Sequence, residues 1–209
     1  MAITPQKGDI TPLRHSETAQ NRILVGLRWD PNTEAVHTNK LVRAVRSNVM
    51  DKNDNTFDLD LACVIYDEHD DAIDGVSGTA SETMDQSGHV YHSGDDMSGT
   101  GDHDDESISV ELKGFPEAAR HIIFVVECQS GHTFSEINNP EVRIADGKTD
   151  EDQINIQLGQ SEGGDKTAFA FVRLFRKNAG NDWLVHYIGQ YYDGAQVEDW
   201  IDTLANHIG

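Results

Sequence analysis

Apolar and polar positions alternate with period two along much of the chain. Phe57, Leu59, Leu61, Cys63 and Ile65 alternate with Asp58, Asp60, Ala62, Val64 and Tyr66, and Ile108, Val110 and Leu112 alternate with Ser107, Ser109 and Glu111. This is the spacing of strands with one buried face. Further strands are predicted over 23–29, 89–93, 122–128, 141–145, 154–158, 167–175 and 183–191. The run 122–126 is apolar at every position, as in a central strand covered on both sides. Asp74-Gly75, Asp146-Gly147, Gly163-Gly164 and Asn178-Ala179-Gly180-Asn181 punctuate the strands as turns. A helical period shows at the end of the chain, where Val197, Trp200, Ile201, Leu204 and Ile208 share one stripe and Glu198, Asp199 and Asp202 lie off it. The pattern predicts an all-β, two-sheet β-sandwich of about nine or ten strands, with an amphipathic helix over 195–208 packed on it. Residues 1–209 read as a single domain, with 31–56 a longer excursion between strands that carries Arg43 and Arg46.

Composition leaves the fold class unchanged and narrows the function. The hydrophobic fraction is 37%, enough for a packed core. The net charge is −21, from 37 Asp and Glu against 16 Lys and Arg. Such a field disfavours nucleic acid and anionic lipid and favours cations. The N-terminus shows no apolar signal region and no stretch is long enough to span a bilayer, so a cytoplasmic location without direct membrane insertion is expected. Cys63 and Cys128 sit inside apolar runs without CxxC spacing, which favours buried thiols over a disulfide or a zinc knuckle.

The acidity is concentrated. Between Lys52 and Lys113 there is no lysine or arginine, yet the interval holds 17 Asp and Glu. Its densest part, Gly94–Glu106, carries six carboxylates and three glycines between two strand patterns. Like charges on so short a loop repel, and no basic residue nearby in sequence offsets them. Calcium would, since it takes six to eight oxygens from carboxylates, carbonyls and water. Asp95 to Glu106 spans twelve residues, but Met97, Gly99 and Thr100 occupy the wrong EF-hand positions and strands flank the loop. A solvated acidic loop without metal is the alternative. Asp58 and Asp60 form a second pair, on one strand face about 7 Å apart, where a strand runs from an acidic rim into apolar surroundings. The acidic stretch 67–75 reads as a solvated hairpin turn. His89 and His92 fall on opposite faces of a strand, which disfavours a shared zinc. P-loop, zincin and dinucleotide motifs are all missing.

Several segments together resemble the tellurium-resistance TerD family: Lys7-Gly8-Asp9-Ile10, Val25-Gly26-Leu27-Arg28-Trp29-Asp30, Phe57-Asp58-Leu59-Asp60-Leu61-Ala62, Ile123-Phe124-Val125-Val126 and Gly189-Gln190. The acidic loop, His92–Asp102 with Asp104-Asp105-Glu106, is the most specific match. Asp96 stands where asparagine is usual, and the excursion at 31–56 looks longer than usual. The resemblance implies a calcium-binding β-sandwich of bacterial stress resistance, without known catalytic activity. One or two calcium ions would be held by Asp58, Asp60, Asp95, Asp96, Asp102, Asp104, Asp105 and Glu106, with carbonyls from Met97 and Gly99 and Asp30 as an outside candidate. Other stress-resistance proteins are the expected partners, in an assembly. Two other readings stay open: a C2-like calcium-dependent membrane module, and a metal-dependent phosphoester hydrolase with His103 as the nearby base.

Overall fold

The computed structural model describes residues 4–32, 56–101, 103–159, 163–178, 180 and 182–209. The excursion expected at 31–56 falls almost wholly outside the described residues. Eleven strands form two antiparallel sheets. The strands are β1 (Ile10–Pro12), β2 (Arg22–Asp30), β3 (Leu59–Tyr66), β4 (Ala72–Val76), β5 (Val90–His92), β6 (Glu106–Glu111), β7 (His121–Cys128), β8 (Asn138–Asp146), β9 (Asp152–Gln157), β10 (Ala168–Phe175) and β11 (Leu184–Tyr192). The order is β1-β11-β10-β7-β3-β4 in the six-stranded sheet and β5-β6-β2-β8-β9 in the five-stranded one.

Alternation along each strand builds the layers. Leu59, Leu61, Cys63, Phe124, Val126, Phe169 and Phe171 point between the sheets and meet Ile23, Val25, Leu27, Ile108 and Ile144 from the other side. The opposite face of β7 and β10 is buried as well: Ile123, Val125 and Ala170 join Ile188, Leu204 and Ile208 in a second cluster under the C-terminal segment. That double cover explains the uninterrupted apolar run of β7. Cys63 and Cys128 are buried free thiols.

Three details differ from the sequence reading. The helix is shorter than 195–208: a 3-10 turn at Gly194–Gln196 precedes α1 (Trp200–Ala205). The Asp199 side chain accepts from the Ile201 and Asp202 N–H groups and starts the helix late, and Ile201 is left 47% exposed. Strands β1 and β4 carry no clear period-two signal because each is a short sheet edge, where only one side must pair and polar residues are tolerated. Within 67–75, the turn is confined to Asp67–Asp71, closed by Asp67 Oδ1 accepting from His69 and Asp71; Asp74-Gly75 lies in β4 and is strand rather than turn.

Candidate metal centre

The site forms where β3 outruns its neighbour. β4 pairs with β3 only up to Cys63↔Val76, so the first residues of β3 have no strand on that side. The Leu61 N–H left there donates to Glu106 Oε2 at 2.8 Å. Glu106 opens β6, in the other sheet, and is completely buried. Its Oε1 accepts from the Asp96 N–H at 3.2 Å, so one carboxylate ties the start of the acidic loop to β3. His92 lies beside it: Nδ1 accepts from the Gly94 N–H at 2.9 Å, and Nε2 faces Glu106 Oε2 at 3.4 Å without a hydrogen bond.

This staple brings Asp95 over the outward face of β3, beside Asp58 and Asp60. One carboxylate oxygen from each of the three lies within 4.8 Å of the others. No lysine or arginine pairs with any of them among the described residues. Asp58 Oδ1 is buried with no hydrogen-bond partner. Burial, then Asp95, Glu106 and Asp96, hold the Asp58 carboxyl above its ordinary range. Asp60 is pushed up to about 7 by burial and by the charges of Glu106, Asp58 and Asp95, against a hydrogen bond from Gln129. Three acids with no counter-charge, one with an orphaned oxygen, fit a divalent cation, and the all-oxygen donor set suits a hard one. Asp60 and Asp95 also open onto a groove of about 800 Å³, floored by Ala62, Val64 and Val125 and flanked by Trp200.

The rest of the acidic loop goes elsewhere. Asp96 Oδ1 accepts from the Ser98 and Gly99 N–H groups and shapes its own turn. Met97 is 61% exposed. Gly99, at φ +60°, lies against Trp29 so closely that a Cβ would come 2.5 Å from the indole nitrogen. Asp104 is taken by Arg143 of β8, whose Nη2 meets Oδ2 at 2.7 Å and whose Nε meets Oδ1 at 2.9 Å. Arg143 also binds Asp150 and Asp152, and Gly26 leaves the space that the Asp104 carboxylate fills. Asp105 Oδ2 accepts from the Trp29 N–H at 2.9 Å; burial holds its carboxyl up despite that bond. Asp30 accepts from Asn139 at 2.6 Å. His103 lines a separate cavity with Asp30 and Asp105, not the groove at Asp60. Asp102 lies outside the described residues. The ten candidates are therefore brought together only in part: Asp58, Asp60 and Asp95 converge, Glu106 sits beneath them, and Asp104 and Asp105 are drawn to β8 and β2. Arg143 and Gln129 carried no signal in the sequence, since each reaches its carboxylate from another strand or just past its end.

The chain matches the TerD domain over residues 1–202. It is 29% identical over 193 residues to tellurium resistance protein TerZ of Serratia marcescens, covering 92% of each chain. It is 27% identical over 206 residues to general stress protein 16U of Bacillus subtilis, covering 93% of each. In fold it is similar to the crystal structure of a homologue of telluride resistance protein (TerD) from Streptomyces coelicolor, with a TM-score of 0.61 at 20% identity over 82% of this chain and 90% of that one.

Proposed function

This chain belongs to the TerD family, and on that premise we propose that it is a cytoplasmic, non-catalytic calcium-binding protein of tellurite and stress resistance that works in a protein assembly. The observation that carries the calcium reading is the cluster of Asp58, Asp60 and Asp95, three carboxylates within 4.8 Å with no lysine or arginine paired with them among the described residues. Calcium, when bound, supplies the missing positive charge. Asp58 and Asp60 reach it from the rigid start of β3, and Asp95 reaches it from a loop whose position Glu106 fixes through Leu61 and Asp96. Glu106 spends both oxygens on backbone N–H groups, so its part is to position the loop and add negative potential. The resistance and stress names of the relatives support the biological setting, and neither relative is named for a reaction.

Calorimetric titration of the chelator-stripped protein with calcium tests the reading. Saturable binding is expected, weakened at least about tenfold in Asp58→Asn and in Asp60→Asn, a loss of about 1.4 kcal/mol. Equal affinity in both variants and the parent would refute the site.

A further inference from the structure

The outward face of the six-stranded sheet has a second end. In the β3–β7 ladder Asp60 is opposite Glu127, and at the far end Tyr66 is opposite His121, roughly 20 Å away along the strand. A cavity of about 430 Å³ opens at that far end, and in a chain of net charge −21 it is lined by Arg120, Arg173, Arg176 and Lys177. These cations are not equally occupied. Arg176 is satisfied: its guanidinium donates to the carbonyls of Ala119, Phe115 and Pro116 and lies over the Trp183 ring. Arg173 is not. It is 5% exposed, donates from Nη1 to the Ile208 carbonyl and lies 4.5 Å over Phe175, but its Nε is buried with no partner. Among the described residues no carboxylate pairs with it; Asp70 acts on it only through space. The adjacent His121, stacked on the same Phe175 ring, has a buried Nδ1 that is also without a partner. Among the described residues, the one carboxylate lining the cavity is Glu68, 61% exposed and paired with Arg120 at 3.4 Å.

A buried guanidinium without an anion is costly, and removing its positive charge is not an option at any ordinary pH. An anion with several acceptor oxygens would supply the counter-charge that Arg173 lacks among the described residues. We propose that this cavity binds a phosphate-type oxyanion, free or as the head of a small phosphomonoester, with Arg173 and His121 donating from the floor and Arg120 and Lys177 facing it from the walls. Planar guanidinium groups match the oxygen spacing of such an anion. The volume leaves room for a small organic remainder beyond the charged head. The proposal is independent of the calcium reading, because the two sites occupy opposite ends of the sheet.

The test uses the full chain in low-salt buffer, with and without calcium, titrated with inorganic phosphate or glycerol phosphate and followed by calorimetry and by amide chemical shifts. Expected are saturation in the millimolar range or below, shifts centred on His121 and Arg173, and the same affinity in chelator. Arg120→Ala combined with Lys177→Ala, at the more accessible positions, should weaken binding about tenfold, and Glu68→Gln should tighten it. Arg173→Gln should abolish it; if that variant does not fold, the wall variants and Glu68→Gln decide. Tighter binding of glycerol phosphate than of phosphate identifies a phosphomonoester, and equal binding identifies the free oxyanion. No saturation by either compound, or unchanged affinity in the Arg120→Ala/Lys177→Ala protein, overturns the site.

Discussion

The two halves of the acidic loop carry similar side chains and end in opposite electrostatic states. Asp104 is nearly buried and fully compensated, held by two nitrogens of an arginine that also gathers Asp150 and Asp152. Asp95, with Asp58 and Asp60 across from it, has no lysine or arginine paired with it among the described residues. The difference comes from which sheet each half reaches. The Asp104 half lies over β2 and β8, where Arg143 projects. The Asp95 half is stapled to β3, whose exposed face offers Ala62 and Val64. Charge density along the sequence therefore does not single out the candidate metal centre. Acids buried without a counter-charge do.

The largest test removes the compensation. Arg143→Gln would leave Asp104, with its side chain 8% exposed, as a buried and unpaired charge. Breaking such a pair costs about 3–5 kcal/mol. We expect a large fall in the denaturation midpoint, of equal size in calcium and in chelator, with calcium affinity unchanged in the folded protein. Calcium rescue of this variant would mean that Asp104 joins the metal site after all.

Next comes the metal itself. At a hundred times its dissociation constant, calcium should stabilise the parent protein by about 2.7 kcal/mol per site. Asp58→Asn and Asp60→Asn should lose most of that increment, whereas Asp104→Asn should keep it, although its own baseline is lower. Urea denaturation of the four proteins with and without calcium separates the two halves. A parent whose stability is the same in calcium and in chelator would remove the metal from the account.

A smaller effect is expected from pH. The Asp60 carboxyl titrates at about 7 in the folded chain against an ordinary 3.8, because burial and three neighbouring acids oppose its charge. Between those values the folded state holds the proton more tightly than the unfolded state. Asp60 therefore makes the metal-free protein less stable as pH rises from about 4 to about 7. Asparagine removes the titration. In chelator, Asp60→Asn should be more stable than the parent at pH 8 and nearly equal to it at pH 4. The gap should be on the order of 1 kcal/mol after allowance for partial solvent screening. His121, held down to about 4 by burial and by Arg173, contributes the opposite slope, but equally in both proteins. A gap that stays constant across pH would show that Asp60 is not held among uncompensated charges. In saturating calcium the order should invert, with the parent more stable.

Much of this was legible from the chain. The alternation in β3 and β6 and the doubly buried run of β7 depend only on which residues face a core, so periodicity exposes them. The convergence of Asp58 and Asp60 follows from the strand period. The edge strands β1 and β4 were not legible, because one-sided pairing imposes little pattern. Nor was the split of the loop. Asp104 and Asp95 look alike in sequence, and Arg143 lies nearly forty residues downstream, in a strand whose position relative to the loop is set by sheet order. Glu106 reads as one more ligand, whereas the buried Leu61 N–H, which has no β4 partner, takes one of its oxygens and turns it into a staple. That need arises only because β4 stops at Val76.

The smallest expected effect is from magnesium, and it bears on how built the uncompensated half is. Asp60 stands in β3, Asp58 immediately precedes it with its carbonyl accepting from the Gln129 N–H, and Asp95 is placed through the Glu106 bonds, so the three carboxylates are held in place by backbone contacts. Their oxygens lie within 4.8 Å of one another, a spread that an ion bound at 2.3–2.6 Å can bridge in irregular geometry. Magnesium needs a near-ideal octahedron at 2.0–2.1 Å and surrenders its water reluctantly. Drawing the carboxylates inward to that radius would raise their mutual repulsion, which together with the larger effect of burial already keeps Asp60 partly protonated near neutrality. Magnesium should therefore bind with its water retained, as a loosely held counter-ion. In millimolar magnesium the denaturation midpoint should barely move, and calcium should displace magnesium present in large excess. If magnesium stabilises the protein as much as calcium does, the cluster acts as a diffuse negative patch, and only its net charge would set it apart from the Arg143 half.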